Sequence, residues 1–188
     1  MIWLITGATH TGKTLLSQKL MEQKRYPYMS IDHLKMGLIR SGQTDLTPDD
    51  DEKLTQYLWP IVREVVKTAI ENDQNLIVEG CYIPFNWRSD FEEEYLQHIN
   101  YVCLVMRREY IENHFADILA NANVIEQRLY DSGLTKEMLI SENEHNLQQC
   151  IAHNCRYIFI DNDYKTETIL KTIYALGENN DGIEKEKI

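Results

Sequence analysis

Short apolar runs and longer stretches of helical spacing alternate along this chain of 188 residues. Apolar runs of this length predict strands, and the last three are too apolar to alternate, which is typical of a sheet buried on both faces. The predicted strands are Ile2–Thr6, Tyr28–Ile31, Asn75–Val78, Tyr101–Met106 and Tyr157–Ile160. Strands separated by helices predict an α/β fold, with a doubly wound five-stranded parallel sheet and helices on both faces.

Helical spacing of apolar side chains fills the intervals between the strands. Thr47 is typical of a helix N-cap, with Pro48 at the first helical position, so a long helix is predicted to begin there. Pro60 lies inside this helix and is expected to kink it or to divide it in two. The predicted helices cover residues 15–23, 34–41, 47–70, 109–130, 136–153 and 166–176.

The loop after the first strand carries the most specific motif of the chain. Residues 7–14 read Gly-Ala-Thr-His-Thr-Gly-Lys-Thr between a predicted strand and a predicted helix, the order that a P-loop requires. Gly7 and Gly12 lack a Cβ, so the backbone can aim several N–H groups at phosphate oxygens, assisted by the positive end of the helix. Lys13 is then expected to reach the β- and γ-phosphates, and Thr14 to offer its hydroxyl to Mg²⁺. The motif predicts binding of a nucleoside triphosphate.

Composition limits the classes of partner. The length and a hydrophobic content of 43% fit a single globular domain, placed at residues 1–178, followed by an acidic tail at 179–188. A net charge of -11 opposes sequence-independent binding to nucleic acid or to an anionic membrane. No transmembrane segment is predicted. Because the first strand starts at the initiator Met, we expect no signal peptide and a cytoplasmic protein, monomeric or homodimeric.

A possible metal site lies in the last third of the chain. His145, Cys150, His153 and Cys155 mix metal-ligand types within eleven residues, but they lack the paired Cys-x-x-Cys spacing of structural zinc sites. Ordinary helix residues are the alternative interpretation. The sequence leaves this choice open.

Residues that follow the predicted strands are the functional candidates, because ligands of open parallel sheets bind beyond the carboxyl ends of the strands. Besides the P-loop they are Asp32, Glu79, Arg107, Arg108 and residues 161–163. Asp32 could accept a hydroxyl proton during phosphoryl transfer or could cap the helix that follows. Glu79 could hold Mg²⁺ through water or close the turn after its strand. The two arginines could stabilise charge on a phosphoryl group or form exposed ion pairs.

Several segments at these strand ends resemble the P-loop small-molecule kinases, in particular the adenylate kinase-like group that includes shikimate, gluconate, chloramphenicol and zeta toxin-type kinases. Tyr28–Leu34 resembles the segment after strand two, Ile77–Gly80 resembles the strand-three ending, and Met106–Arg108 resembles the start of an arginine-bearing lid. The resemblance implies an acceptor-binding helical region at about 33–73 and a lid at about 107–135 that closes over ATP.

One segment departs from the nucleoside monophosphate kinases of that group. Those enzymes have Asp-Gly-x-Pro-Arg after strand three, whereas residues 79–84 here read Glu-Gly-Cys-Tyr-Ile-Pro. The arginine is missing or displaced to Arg88. This departure argues against a nucleoside monophosphate acceptor and favours another hydroxyl or phosphate compound.

The candidate residues fall into groups by expected role. The catalytic group is Lys13, Asp32, Arg107 and Arg108. The nucleotide-binding group, in which Thr9 and His10 contribute backbone only, is Gly7, Thr9, His10, Thr11, Gly12, Lys13, Thr14, Leu15 and Arg128. The acceptor-binding group is Asp32, Arg40, Arg63, Glu79 and Arg88, and the metal-binding group is Thr14 and Glu79. An anionic acceptor would use one or two of the three acceptor-binding arginines as bidentate clamps, and solvated surface is the favoured interpretation for any single one.

These assignments predict an ATP-dependent phosphotransferase that moves the γ-phosphoryl group of Mg²⁺·ATP to a hydroxyl or phosphate group of a small molecule. The alternative is a nucleotide-binding regulatory ATPase or switch without a small-molecule acceptor. GTPases carry Asn-Lys-x-Asp near strand four or five, and larger ATPases carry a paired Asp-Glu after strand three. Neither pattern occurs at these places in this chain.

Overall fold

The computed structural model describes residues 1–121, 133–161, 164 and 166–178. Its strands are β1 (Ile2–Gly7), β2 (Tyr28–Ser30), β3 (Leu76–Glu79), β4 (Ile99–Met106) and β5 (Tyr157–Ile160). Its helices are α1 (Lys13–Lys24), α2 (Ile31–Arg40), α3 (Asp51–Glu71), α4 (Glu93–Leu96), α5 (Arg108–Ala120), α6 (Lys136–Ala152) and α7 (Thr166–Glu178). A 3₁₀ helix covers Trp87–Asp90 and, like α4, was not predicted.

The five strands form one parallel sheet with the order β2-β3-β1-β4-β5. In the centre, β1 pairs with β3 through Ile5 and Glu79 and with β4 through Gly7 and Leu104. The predicted doubly wound parallel sheet is confirmed. Because all strands run in one direction, their last residues lie at one edge of the sheet, here named the carboxyl edge.

Alternate side chains of the strands enter two hydrophobic cores, one on each face of the sheet. On β1, Ile2 and Leu4 belong to one core, whereas Trp3 and Ile5 belong to the other. The first core packs against α3, and the second packs against α1, α5 and α7. Helices therefore cover both faces, which explains why these strands contain so few polar residues.

The helix boundaries correct two predictions. α3 begins at Asp51 rather than at Thr47, because the backbone N–H and the hydroxyl of Thr47 both donate to the Asp50 carboxylate, at 3.0 and 2.8 Å, and close a turn before the helix. The predicted division at Pro60 is also wrong. α3 continues past Pro60, since Leu58 and Val62 on either side of it are fully buried in the same core.

The remaining predicted helices are found where the structure describes them. α6 matches its prediction within one residue, and α7 extends past the predicted end at Gly177. The part of the predicted helix 109–130 that follows residue 121 lies outside the described residues. No helix in the described ranges is long and apolar enough to cross a membrane.

α6 passes from one core to the other at the carboxyl edge. Its first turns pack in the core of α1 through Leu139 and Ile140, and its last turn packs in the opposite core through Cys150. Between them, the buried Asn143 side chain accepts a hydrogen bond from the backbone N–H of Met106 and donates one to the Leu139 carbonyl, both at 2.8 Å. This amide fastens α6 to the end of β4.

We expect Leu20→Ala to destabilise the protein by about 2–5 kcal/mol, because it deletes a fully buried side chain between α1 and the sheet and leaves a cavity. Urea unfolding followed by circular dichroism measures this loss. Ile151→Ala is the matched control, because Ile151 is 63% exposed, and its effect should stay within about 0.5 kcal/mol. Equal effects of the two substitutions would contradict the described packing of α1.

Candidate active site

The P-loop leaves the sheet at Gly7 and enters α1 at Lys13. Gly12 is the N-cap of α1 with φ 77°, a left-handed conformation that favours glycine. A Cβ at Gly12 would also collide with the ring of Tyr164, whose hydroxyl donates to the Gly12 carbonyl at 2.9 Å. The loop therefore has the backbone geometry that its two glycines predict, and the N-terminus of α1 points its free N–H groups toward the loop.

Lys13 lies at the centre of this loop and is 4% exposed. Its Nζ donates to the Ala8 carbonyl at 3.2 Å, and the Thr11 hydroxyl donates to the same oxygen at 2.8 Å. These contacts hold the lysine side chain across the opening of the loop, where its ammonium group can contact a bound anion.

The other predicted nucleotide-binding residues of the loop also lie in place. The backbone N–H of Thr9 donates to the Glu142 carboxylate at 3.1 Å, and the Thr9 hydroxyl lies 2.9 Å from Nδ1 of His10. His10 has φ 61°, a second left-handed turn in the loop. Leu15 is half-buried in the first turn of α1. The Thr9 contact brings α6, through Glu142, against the P-loop.

Glu79 ends β3 directly beside the P-loop and is 1% exposed. One of its carboxylate oxygens accepts a hydrogen bond from the Tyr28 hydroxyl at 2.8 Å, and the other accepts one from the Thr14 hydroxyl at 3.4 Å. A buried carboxylate is costly unless it is hydrogen-bonded in this way. The Thr14 hydroxyl and the Glu79 carboxylate thus lie side by side at the carboxyl edge.

The oxygen atoms of this pair fit Mg²⁺. The described residues contain no group of three or more His, Cys, Asp or Glu side chains arranged around a metal position. Mg²⁺ commonly takes one or two protein oxygens and completes its shell with water and substrate phosphates. The Thr14 hydroxyl and the Glu79 carboxylate supply ligands of that kind.

Asp32 lies in the first turn of α2. The predicted strand ended at Ile31, directly before Asp32, whereas β2 ends one residue earlier, at Ser30. Ser30, rather than Asp32, occupies the N-cap position. The Asp32 carboxylate pairs with Nζ of Lys35 at 2.7 Å, and the same Nζ donates to the Tyr82 hydroxyl at 2.8 Å. The Tyr82 hydroxyl in turn donates to the Asp51 carboxylate at 3.0 Å. This chain of four side chains ties α2, the turn after β3, and α3 together.

The Tyr82 hydroxyl stays protonated in this chain. Burial, followed by the negative charge of neighbouring Cys81, Asp51 and Asp32, raises the pKa of Tyr82 far above its ordinary value. The hydroxyl can therefore donate to Asp51 over the whole physiological pH range while it accepts from Lys35.

Cys81 lies in the turn after β3. Because β3 lies between β2 and β1 in the sheet, this turn lies between α2 and the P-loop, and the region is here named the cleft. Cys81 is exposed as a residue, whereas the other three cysteines are buried. Protein atoms around its thiol desolvate it and raise its pKa to about 11, an effect that the charges of Asp32 and Glu142 increase and those of Lys13 and Lys35 oppose.

Arg107 and Arg108 occupy different places at the start of α5. The Arg107 guanidinium stacks on the Phe159 ring at 3.7 Å, and its Nε lies 3.6 Å from the Asp161 carboxylate, at the carboxyl ends of β4 and β5. Arg108 pairs with Glu144 of α6 at 2.6 Å and is half exposed. Arg107 is thus the arginine at the carboxyl edge. The predicted residue Arg128 and positions 162 and 163 lie outside the described residues.

The structure does not bring Arg40, Arg63 and Arg88 together. Arg40, the last residue of α2, is exposed. Arg63 forms an ion pair with Glu64. It lies twelve residues after Asp51 on α3, which corresponds to roughly 18 Å along the helix axis. Arg88 is exposed and stacks on Trp87, whose ring lies on Tyr101 of β4. Tyr101 pairs with Leu4, and both residues lie in the first halves of their strands. Arg88 therefore lies toward the amino-terminal ends of the strands.

The residues of the possible zinc site are also separated. His145 and His153 are exposed, whereas Cys150 and Cys155 are buried. Cys150 is a core residue of α6, and the Cys155 thiol donates to the Phe85 carbonyl at 3.1 Å. The ordinary helix interpretation agrees with this placement.

The chain has the fold of solved structures described as a shikimate kinase and a gluconokinase. In this chain that fold is a parallel sheet of order β2-β3-β1-β4-β5 with the Gly-x-x-x-x-Gly-Lys-Thr loop after β1. No protein-family model matches the sequence, and no curated protein matches it.

Solved structures with this fold match nearly the whole chain. A shikimate kinase from Bacteroides thetaiotaomicron has a TM-score of 0.56 at 14% identity, covering 95% of this chain and 98% of the other. A gluconokinase from Sinorhizobium meliloti 1021 has 0.53 at 14% identity, with 94% and 93% covered. A sugar kinase from Janibacter sp. HTCC2649 has 0.50 at 11% identity, with 93% and 92% covered. At these identities the similarity establishes the fold.

The sequence alone did not predict a role for three residues of the cleft, which are Lys35, Cys81 and Glu142. Lys35 could have been found, because residues three apart on a helix are neighbours and Lys35 follows Asp32 by that spacing. Cys81 and Glu142 carry no such signal. Their positions depend on the turn after β3 and on the passage of α6 across the carboxyl edge.

We expect iodoacetamide to alkylate Cys81 about 100-fold more slowly in the folded protein near pH 8 than in the unfolded chain. The thiolate is the reactive form, and its pKa rises from 9.0 to about 11 on folding. The rate in the folded protein should keep rising tenfold per pH unit through pH 10. Mass spectrometry after timed quenching measures it. A rate that levels off near pH 9 would show that the thiol is not enclosed by the cleft.

Proposed function

We propose that this protein is an ATP-dependent phosphotransferase that moves the γ-phosphoryl group of Mg²⁺·ATP to a hydroxyl or phosphate group of a small molecule. The observation that carries this proposal is the arrangement around the P-loop: a buried Lys13 across the loop and a Thr14–Glu79 pair at its side. The fold supports it, because the matched structures include proteins described as shikimate kinase and gluconokinase.

The phosphate groups of ATP bind to the loop in this proposal. Backbone N–H groups of the loop and the positive end of α1 surround the phosphates, and Lys13 neutralises the β- and γ-phosphates. The Thr14 hydroxyl and the Glu79 carboxylate would hold Mg²⁺, which would supply positive charge to the transferred group.

Asp32 is the proposed general base for a hydroxyl acceptor. It lies at the carboxyl edge on α2 and accepts the proton of the attacking hydroxyl as the new oxygen–phosphorus bond forms and the bond to ADP breaks. Lys35, at 2.7 Å, holds the carboxylate in position. Lys35 also donates a hydrogen bond to the Tyr82 hydroxyl, which fixes the position of the lysine itself.

The lid completes the site in this proposal. We place the lid at residues 107–135 and the acceptor-binding region at 33–73, within a kinase domain of residues 1–178. Arg107, at the ends of β4 and β5, is better placed than Arg108 to reach the nucleotide. Arginine charge near the transferred phosphoryl group stabilises the transition state.

Lys13→Ala should lower the rate of ADP formation from Mg²⁺·ATP by at least about 10²-fold, since it removes the charge that meets the transferred group. The matched control is Lys19→Ala, on the same helix, where the lysine is half exposed and pairs with Glu22. Coupled-enzyme assays of ADP release measure both variants, and circular dichroism checks that both are folded. Folded Lys13→Ala with wild-type turnover would refute the proposed function.

A further inference from the structure

The buried carboxylate of Glu79 at the end of β3 is 1% exposed, and its partners are two hydroxyl groups. One carboxylate oxygen accepts a hydrogen bond from Tyr28 at 2.8 Å, and the other accepts one from Thr14 at 3.4 Å. Hydrogen bonds lower the cost of burying a carboxylate, but neutral hydroxyl groups do not cancel its negative charge. The site therefore favours a cation beside Glu79.

The two hydrogen bonds differ in how firmly they hold the carboxylate. The contact with Tyr28 has the ordinary length of an O–H···O hydrogen bond, whereas the contact with Thr14 is longer than the usual range. The Thr14 hydroxyl is also the group that turns toward Mg²⁺ in the proposed function. Tyr28 is therefore the side chain that fixes the direction of the Glu79 carboxylate.

The register of the sheet places the Tyr28 hydroxyl at this carboxylate. Tyr28 of β2 pairs with Ile77 of β3, two residues or about 6.6 Å before Glu79 along the strand, so a long side chain is needed to cover the distance. Ser30 pairs directly with Glu79, and its buried hydroxyl makes no hydrogen bond among the described residues. The donor from β2 is thus the longer Tyr28, whose ring packs against the core that contains Ile77.

We propose that Tyr28 is a positioning residue of the Mg²⁺ site, because its hydroxyl holds one oxygen of Glu79 so that the other faces Thr14 and the metal. This inference rests on the proposed function, in which Thr14 and Glu79 hold Mg²⁺. Groups that hydrogen-bond to a metal ligand orient it and typically contribute about 10–100-fold to metal affinity or activity. Without the Tyr28 hydroxyl, the carboxylate loses its close donor and turns away from Thr14 to find another.

The experiment measures how much Mg²⁺ strengthens nucleotide binding, without any turnover. The probe is the β,γ-imido analogue of ATP, titrated by calorimetry once with excess EDTA and once with Mg²⁺. The metal gain is the Kd without metal divided by the Kd with metal. We expect Mg²⁺ to strengthen binding to the wild-type protein and Tyr28→Phe to reduce the metal gain roughly fivefold or more. The Kd without metal should stay nearly unchanged, because Tyr28 lies outside the P-loop.

Tyr26→Phe is the matched control. Tyr26 and Tyr28 are both half-buried and both pack against the core on the α1 side of the sheet, but the hydroxyl that donates to Glu79 is that of Tyr28. Each substitution removes one hydroxyl and keeps the ring, and circular dichroism checks that both variants are folded. Tyr26→Phe should keep the wild-type metal gain. A wild-type or larger metal gain in Tyr28→Phe, or equal losses in the two variants, would overturn the proposal.

A double-mutant cycle tests whether Tyr28 acts through the carboxylate. Glu79→Gln keeps the length of the side chain but removes its negative charge, so the metal gain should fall although the tyrosine is present. Adding Tyr28→Phe to Glu79→Gln should lower the metal gain further by less than about twofold. A full additional loss in the double variant would show that Tyr28 affects the metal by another route and would refute the positioning role.

The outcomes separate this inference from the proposed function. A metal gain that Tyr28→Phe leaves intact refutes the role of Tyr28, while the phosphotransferase stands. A wild-type protein that binds the analogue equally well with and without Mg²⁺ refutes the metal site of the proposed function, and the role of Tyr28 with it.

Discussion

The parallel pairing of β1 with β3 on one side and β4 on the other is the constraint on which the rest of the site depends. Gly7 ends β1 opposite Leu104, and a Cβ at Gly7 would lie 2.6 Å from the Leu104 carbonyl oxygen, so the loop can leave the sheet here only through glycine. The same pairing sets Glu79 beside Ile5 and therefore beside Thr14 at the start of α1. The P-loop and Glu79 thus come from neighbouring strands.

Local patterns in the sequence predict the strands of the sheet and the P-loop. The buried strands show as continuous apolar runs because both faces of the sheet are covered, and the P-loop shows because its glycines and Lys13 follow a strand at fixed spacing. Glu79 was found from its position at a strand end. The start of α3 was missed, because a turn closed by Thr47 and Asp50 competes with the helix for the same residues.

The walls of the cleft were less predictable, because they depend on contacts between distant elements. Glu142 reaches the P-loop only since Asn143 fastens α6 to β4, and no spacing in the sequence reports that contact. Conversely, Arg63 was expected in the cleft, but the uninterrupted α3 carries it away from Asp51. Charge in the cleft is therefore a property of the tertiary structure.

The fate of the γ-phosphorus of ATP distinguishes phosphoryl transfer from hydrolysis. It can be followed by phosphorus NMR of the wild-type protein with Mg²⁺·ATP and a panel of hydroxyl compounds. We expect a new phosphomonoester resonance that grows with ADP and requires one particular acceptor. Inorganic phosphate alone, formed at the same rate whether or not an acceptor is present, would contradict it and would identify a nucleotide hydrolase.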